Sequence, residues 1–166
     1  MNEKLIIMSE DMHKKFLTII ILISILTLNV KAQSFQKTEL GINSIVNSIE
    51  VKIQFYNPST VRILKSPEGK TFEKKSLSVI EIPQKTDFSI KQEGDELLLT
   101  SKNIQVDLNL KNGKITFATS TGEKLLSEKE AGASFTDFND AGNKTYTVYQ
   151  AYVLDKDEAI YGLGQQ

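Results

Sequence analysis

Apolar and polar side chains alternate with a period of two along most of this chain. In SIEVKIQFY, Ile49, Val51, Ile53 and Phe55 share one side while Glu50, Lys52 and Gln54 share the other. Period two over nine residues predicts a half-buried strand, because successive side chains of a strand point to opposite faces. Asn57-Pro58-Ser59 breaks it, since proline has no N–H for a ladder. TVRILK resumes the pattern, with Val61 and Ile63 on one face and Arg62 and Leu64 on the other. Ser66-Pro67-Glu68-Gly69 then predicts a turn.

The middle of the chain reads the same way. LSVIEI, residues 77–82, predicts a strand stopped at Pro83. DFSIKQEGDELLLTS predicts a hairpin that turns at Gly94-Asp95, with Phe88, Ile90, Leu97 and Leu99 pointing inward. IQVDLNLKNGKITFAT predicts another, with Asn112-Gly113 supplying positive φ at both centres of a type I′ turn. EKLLSE adds a short strand or edge. EAGASFTDFNDAGNKTYT is rich in small and turn residues and reads as a longer surface loop anchored by Phe135 and Phe138. YTVYQAYVL alternates again, and Asp155-Lys156-Asp157 turns into the closing AIYGLG.

No helical period of useful length follows Gln33. Turn signals recur at the 8–12-residue spacing of all-β sandwiches and barrels. The expected fold class is therefore all-β, an antiparallel β-sandwich.

The segment before Gln33 is different. MHKKFLTIIILISILTLNVKAQS has a basic start at Lys14 and Lys15 and an apolar run from Phe16 to Val30. Val30-Lys31-Ala32 follows as a small-x-small cleavage site. The run is shorter than the roughly 20 apolar residues of a spanning helix. Residues 1–32 are expected to be a signal peptide, translated from Met12 because Glu3, Glu10 and Asp11 put acid where base belongs. Residues 33–166 would then be one β domain, secreted or periplasmic in a bacterium, with no membrane span after cleavage.

Composition narrows the chemistry. The 166 residues carry 20 basic and 21 acidic side chains, no cysteine and one histidine, His13, inside the expected signal. Cleavage would remove four lysines and three acids and leave a net charge of −2, with Arg62 the only arginine. Such a surface lacks the basic footprint of a nucleic-acid binder. Without histidine or cysteine there is no Ser–His–acid triad, no zinc site of the usual kind and no thiolate nucleophile. No cofactor is implied and no metal ligands are singled out.

Paired carboxylates remain a possible device for glycoside hydrolysis. The acids are Asp87, Glu93, Asp95, Glu96, Asp107, Asp137, Asp140, Asp155, Asp157 and Glu158, and most fall in turns or on polar strand faces, where solvated acids belong. Gly162-Leu163-Gly164 is not a dinucleotide loop, which needs a third glycine and a helix. Glycines in a strand mark a bulge or a close approach. Tyr149, Tyr152 and Tyr161 suit either a sugar-stacking platform or cross-strand packing, and packing is the commoner use. Arg62 suits a strand-surface ion pair better than a ligand clamp.

Three stretches, taken in order, carry a resemblance: STVRILKSPEG, then LLLTSKNIQVDLNLKNGKITFATSTGEKLLSE, then EAIYGLGQQ. Together they resemble the N-terminal region of glycoside hydrolase family 31, the family of α-glucosidases and α-xylosidases. Val61-Arg62-Ile63, Thr100 to Val106, Asn112-Gly113, Gly122 to Leu125 and Tyr161-Gly162-Leu163-Gly164 fill the family's places, and Gln165 stands where glutamate is usual. The resemblance covers roughly Ile42 to Gln166. It implies a galactose mutarotase-like β-sandwich, incomplete at its C-terminal end and truncated before a (β/α)₈ barrel that would hold both catalytic aspartates. On that reading this chain has no catalytic residue. Tyr161, Gly162 and Gly164 match a near-pocket structural segment, and oligo- or polysaccharide would be met through the missing catalytic domain. The alternatives are a standalone carbohydrate-binding module and a structural adhesion sandwich.

Overall fold

The computed structural model describes residues 35–70 and 79–158. The expected signal segment and the Tyr161-Gly162-Leu163-Gly164 motif therefore lie outside the described residues. Ten strands make two antiparallel sheets, and no helix occurs among the described residues.

The first sheet runs β1 (Phe35–Lys37), β2 (Gly41–Val46), β3 (Ile49–Asn57) and β4 (Thr60–Pro67), in that spatial order. The second contains β5 (Ser89–Glu93), β6 (Glu96–Thr100), β7 (Ile104–Asn109), β8 (Ile115–Thr119), β9 (Lys124–Asp140) and β10 (Asn143–Val153). Its spatial order is also its chain order, a continuous meander with β5 and β10 at the edges. Every strand pairs with a sequence neighbour, so the fold is built from local hairpins.

The alternating positions meet between the sheets. Ile42, Val51, Ile53 and Phe55 of the first sheet and Leu97, Leu99, Val106, Leu108 and Ile115 of the second form one buried cluster. Phe88 stacks on Phe55 with ring centroids 5.2 Å apart, and Lys37 Nζ lies 5.3 Å above the Phe88 ring. Polar contacts tie the layers at the margins. Ser101 Oγ donates to the Pro58 carbonyl at 2.8 Å, Asn103 Nδ2 donates to Ser59 Oγ at 2.7 Å, and Asn47 Nδ2 donates to the Lys111 carbonyl at 3.1 Å.

Three local expectations need correction. The Glu130–Thr147 stretch is not a surface loop: it belongs to the longest hairpin among the described residues, β9–β10. Ala141 and Gly142 both have positive φ (48° and 94°) between the paired residues Asp140 and Asn143, which makes a two-residue turn of type I′. Asn139 Oδ1 accepts the Gly142 N–H at 2.8 Å and supports it. Pairing along β10 overrides a turn-rich composition here.

The type I′ turn expected at Asn112-Gly113 is absent as well. Only Gly113 has positive φ there, at 76°. Asn109 Oδ1 accepts from the N–H of both Lys111 and Asn112, at 3.0 Å each, and caps a wider loop. A local side-chain bond has outcompeted the tight turn. Asn47-Ser48, with φ of 51° and 59°, makes a tight turn of that kind, joining β2 to β3.

β1 and β2 give no clear alternation because Ser44 points inward and Ile45 is 53% exposed. In the expected strand at 77–82, the described part, Val79–Ile82, lies outside both sheets, with Ile80 and Ile82 largely exposed. Its anchor is Gln84, whose N–H donates to the Tyr56 carbonyl at 3.1 Å. Residues 79–82 are in no strand of either sheet.

Candidate functional site

The most enclosed chemistry sits where the smaller sheet stops short of the larger one. β4 is an edge strand of a four-stranded layer, and the facing layer has six strands. The inner surface of β9 and β10 therefore runs on beyond β4. A cavity of about 370 Å³ opens there, walled by Ile63, Phe117, Phe135 and Val148 around Lys65, Glu128, Gln150 and Tyr152.

Glu128 occupies an inward position of β9 that alternation would assign to an apolar residue. Its side chain is 2% exposed and that of Lys65 is 6% exposed, and the two are joined at 2.5 Å. Glu128 Oε2 also accepts the Ile115 N–H at 2.8 Å, and Oε1 accepts from Gln150 Nε2 at 3.0 Å. Lys65 Nζ makes a second bond, to the Gly113 carbonyl at 2.8 Å. One buried ion pair thus links β4, the β7–β8 hairpin, β9 and β10.

The backbone is shaped for it. Between the pairs Glu128↔Tyr152 and Ala133↔Gln150, β9 carries four residues where β10 carries one. This bulge includes Glu130 at φ 51° and Gly132 at φ 77°. A Cβ at position 132 would collide with Glu128 Oε2 and stand 2.5 Å from Lys65 Nζ, so glycine is required twice over, for space and for conformation.

Chemically this cluster holds and does not react. Both Glu128 oxygens are committed to donors, and no second carboxylate is among the described residues lining the cavity. Glycoside hydrolysis needs two. Burial, with the Glu128 charge adding to it, pushes the Tyr152 hydroxyl up from its ordinary pKa, and a Gln150 hydrogen bond opposes them. Tyr152 stays an uncharged phenol at neutral pH.

The acids singled out from the sequence are scattered. All of them except Asp107 are exposed. Asp107, on β7, is half-buried, and its Oδ1 has no hydrogen-bond partner among the described residues. Burial, then the charge of Glu96 on β6, then a hydrogen bond with that carboxyl push it up to about 6 from 3.8. Because the folded value lies above the unfolded one, the fold binds the extra proton between pH 4 and 6. Stability therefore falls as pH rises through that window and levels off above it. Asp107→Asn should remove the fall and stabilise the protein at pH 7 by about 1 kcal/mol, a figure discounted for solvent screening. Melting temperatures at pH 4 and pH 7 check it, and an unchanged gap between the two would contradict it.

The remaining candidates resolve plainly. Arg62 is exposed and donates to the Tyr56 hydroxyl at 3.4 Å, so its partner among the described residues is a tyrosine and not the expected carboxylate. Tyr149 and Tyr152 are 64% and 42% exposed and are not core, because β10 is an edge strand that the smaller sheet does not reach. Nor do they form one platform, since Tyr152 lines the cavity and Tyr149 does not. Tyr161, Gly162 and Gly164 lie outside the described residues. A larger hollow of about 650 Å³ beside the hairpin tip is lined by Lys70, Asp137, Phe138, Asn139, Lys144 and Tyr146. Sequence reasoning missed Glu128. The signal available was an acid in register with the inward Leu126, four residues before a glycine.

Comparison with known proteins places this architecture. Residues 50–166 match the model of the glycosyl hydrolase 31 N-terminal galactose mutarotase-like domain. Alpha-glucosidase 2 of Bacillus thermoamyloliquefaciens is 30% identical over 138 residues, which cover 80% of this chain and 16% of that protein. An alpha-xylosidase of Saccharolobus solfataricus is 26% identical over 121 residues, 72% of this chain and 16% of that protein. In the solved structures, a GH31 alpha-xylosidase from Xanthomonas citri superposes with a TM-score of 0.72 at 26% identity, covering 79% of this chain and 15% of that one. The chain thus spans about one sixth of the length of these relatives.

Proposed function

The chain belongs to the glycosyl hydrolase 31 family, whose N-terminal galactose mutarotase-like domain it carries, and from that premise we propose that it is the non-catalytic N-terminal portion of a secreted retaining α-glycosidase. Its role is structural support for a catalytic domain that acts on α-xylosides or α-glucosides in carbohydrate catabolism. Oligo- or polysaccharide is then the partner of that catalytic domain. The observation that carries this reading is the coincidence of two limits. The match falls on the family's N-terminal domain and on about one sixth of each relative. The buried polar cluster of that domain spends its carboxylate on an internal lysine.

Purified chain should release no aryl alcohol from p-nitrophenyl α-xyloside or α-glucoside above the blank. Saturable hydrolysis that survives repurification would overturn the proposal. Secretion is tested separately. Expressed in a bacterial host, the processed product should begin at Gln33, and a cell-retained product that still starts at Met1 or Met12 would refute export.

A further inference from the structure

The loop that joins β7 to β8 holds the chain's one Asn-Gly pair, Asn112-Gly113. This dipeptide can cyclise on itself, because glycine has no Cβ to keep its own nitrogen from the neighbouring carboxamide. In that reaction the Gly113 nitrogen bonds to Asn112 Cγ and the Cγ–Nδ2 bond breaks. Nδ2 leaves as ammonia, taking the former Gly113 amide proton. Water then opens the succinimide at either carbonyl and leaves aspartate or isoaspartate at position 112. Water is the one reactant consumed.

The fold treats the two reacting groups in opposite ways. Asn112 is exposed, so ammonia can leave and water can enter. Its Oδ1 accepts the Lys114 N–H at 2.9 Å, which polarises the carboxamide and holds it against the following peptide. The nucleophile is locked. Gly113 is buried, and its N–H donates to the Asn109 carbonyl at 2.8 Å, so the proton that must be lost is shielded from base in solvent. The loop around it is pinned. Asn109 N–H donates to the Lys114 carbonyl at 2.9 Å, and Asn109 Oδ1 takes the Lys111 and Asn112 amides. Outside the loop, Leu110 N–H donates to the Asp95 carbonyl at 2.7 Å, and Asn47 Nδ2 donates to the Lys111 carbonyl.

We propose that Asn112 is a deamidation site that the β7–β8 loop keeps closed, and that its modification loosens the buried Lys65–Glu128 pair. Opening the loop frees the Gly113 N–H and permits attack, so the rate of conversion follows the local stability of this loop. The link to the ion pair is the next carbonyl along the chain. Gly113 O accepts from Lys65 Nζ at 2.8 Å, and that lysine is also bound to Glu128. Isoaspartate adds a carbon to the backbone immediately before Gly113. The shift moves that carbonyl off Lys65 and leaves a buried ammonium short of an acceptor, which is costly in a closed site. The added carboxylate is a lesser disturbance, since position 112 is exposed and lies between Lys111 and Lys114. The proposal rests on the loop geometry and is independent of the glycosidase reading.

The test uses the full chain in mildly alkaline buffer, with peptide mass spectrometry reading the amide-to-acid change at Asn112. A synthetic peptide of residues 108–116 gives the unprotected rate, with and without urea. The native chain should convert at least about tenfold more slowly than the peptide, and the chain in unfolding urea should match it. Asn109→Ala, which removes the acceptor of two loop amides, should raise the native rate toward that of the peptide. The isoaspartyl form, separated by chromatography, should then unfold at a lower urea concentration than untreated chain, while Asn112→Asp, with the charge and no added backbone carbon, should unfold close to it. A native rate equal to that of the peptide, or a folded Asn109→Ala chain that converts no faster, would overturn the closed loop. An isoaspartyl form as stable as untreated chain would overturn the link to Lys65.

Discussion

Glu128→Ala is expected to lower unfolding free energy by about 3–5 kcal/mol. The cost has little to do with the favourable energy of an ion pair. It comes from what is left behind. Lys65, with a side chain 6% exposed, would keep one hydrogen bond, to Gly113, and no counter-charge. The Ile115 N–H and the Gln150 amide would each lose the acceptor they now use. Replacing both ends, as Lys65→Met with Glu128→Leu, removes the stranded charge and should recover most of the loss. The double-mutant cycle should therefore show strong coupling, with the pair change far milder than the sum of the single changes. Urea unfolding of the four proteins checks this. Additive losses would mean that the two charges are solvated and the cluster is not closed.

Phe55→Ala is expected to cost about 3–5 kcal/mol, the range for emptying a fully buried aromatic site. Phe55 is 0% exposed and joins three parts of the fold: β3, which carries it; the facing sheet, whose leucines pack with it; and Phe88 ahead of β5, stacked on its ring. Removing the ring also leaves Phe88, and the Lys37 ammonium above it, without a floor. Phe88→Ala should cost less, because Phe88 is only partly buried. Urea unfolding of the two variants orders them, and a loss below about 1 kcal/mol at Phe55 would contradict close packing between the sheets.

Alternation alone identified β3, β4 and the β5–β6 and β7–β8 hairpins, because each buries one face and period two is then forced on the residues. It also identified the inward residues Val51, Ile53, Phe55, Leu97, Leu99, Val106 and Leu108 as core. The family followed from the order of several short motifs. The absence of histidine and cysteine from residues 33–166 closes whole classes of chemistry whatever shape the chain takes. These are properties of single segments or of the inventory, so a linear reading reaches them.

Tertiary structure alone decided the rest. The Glu130–Thr147 stretch became a hairpin because β9 and β10 pair along their length, and pairing depends on the partner rather than on composition. Val79–Ile82 alternates like a strand yet joins no sheet, since alternation cannot supply a neighbouring edge. Glu128 looked like one more surface acid. It is buried because a bulge in β9, a glycine at 132 and a lysine 63 residues earlier in the chain converge on it. A side chain's polarity is written in the sequence, but whether water or a counter-ion satisfies it is settled only by which distant segments the fold brings within reach.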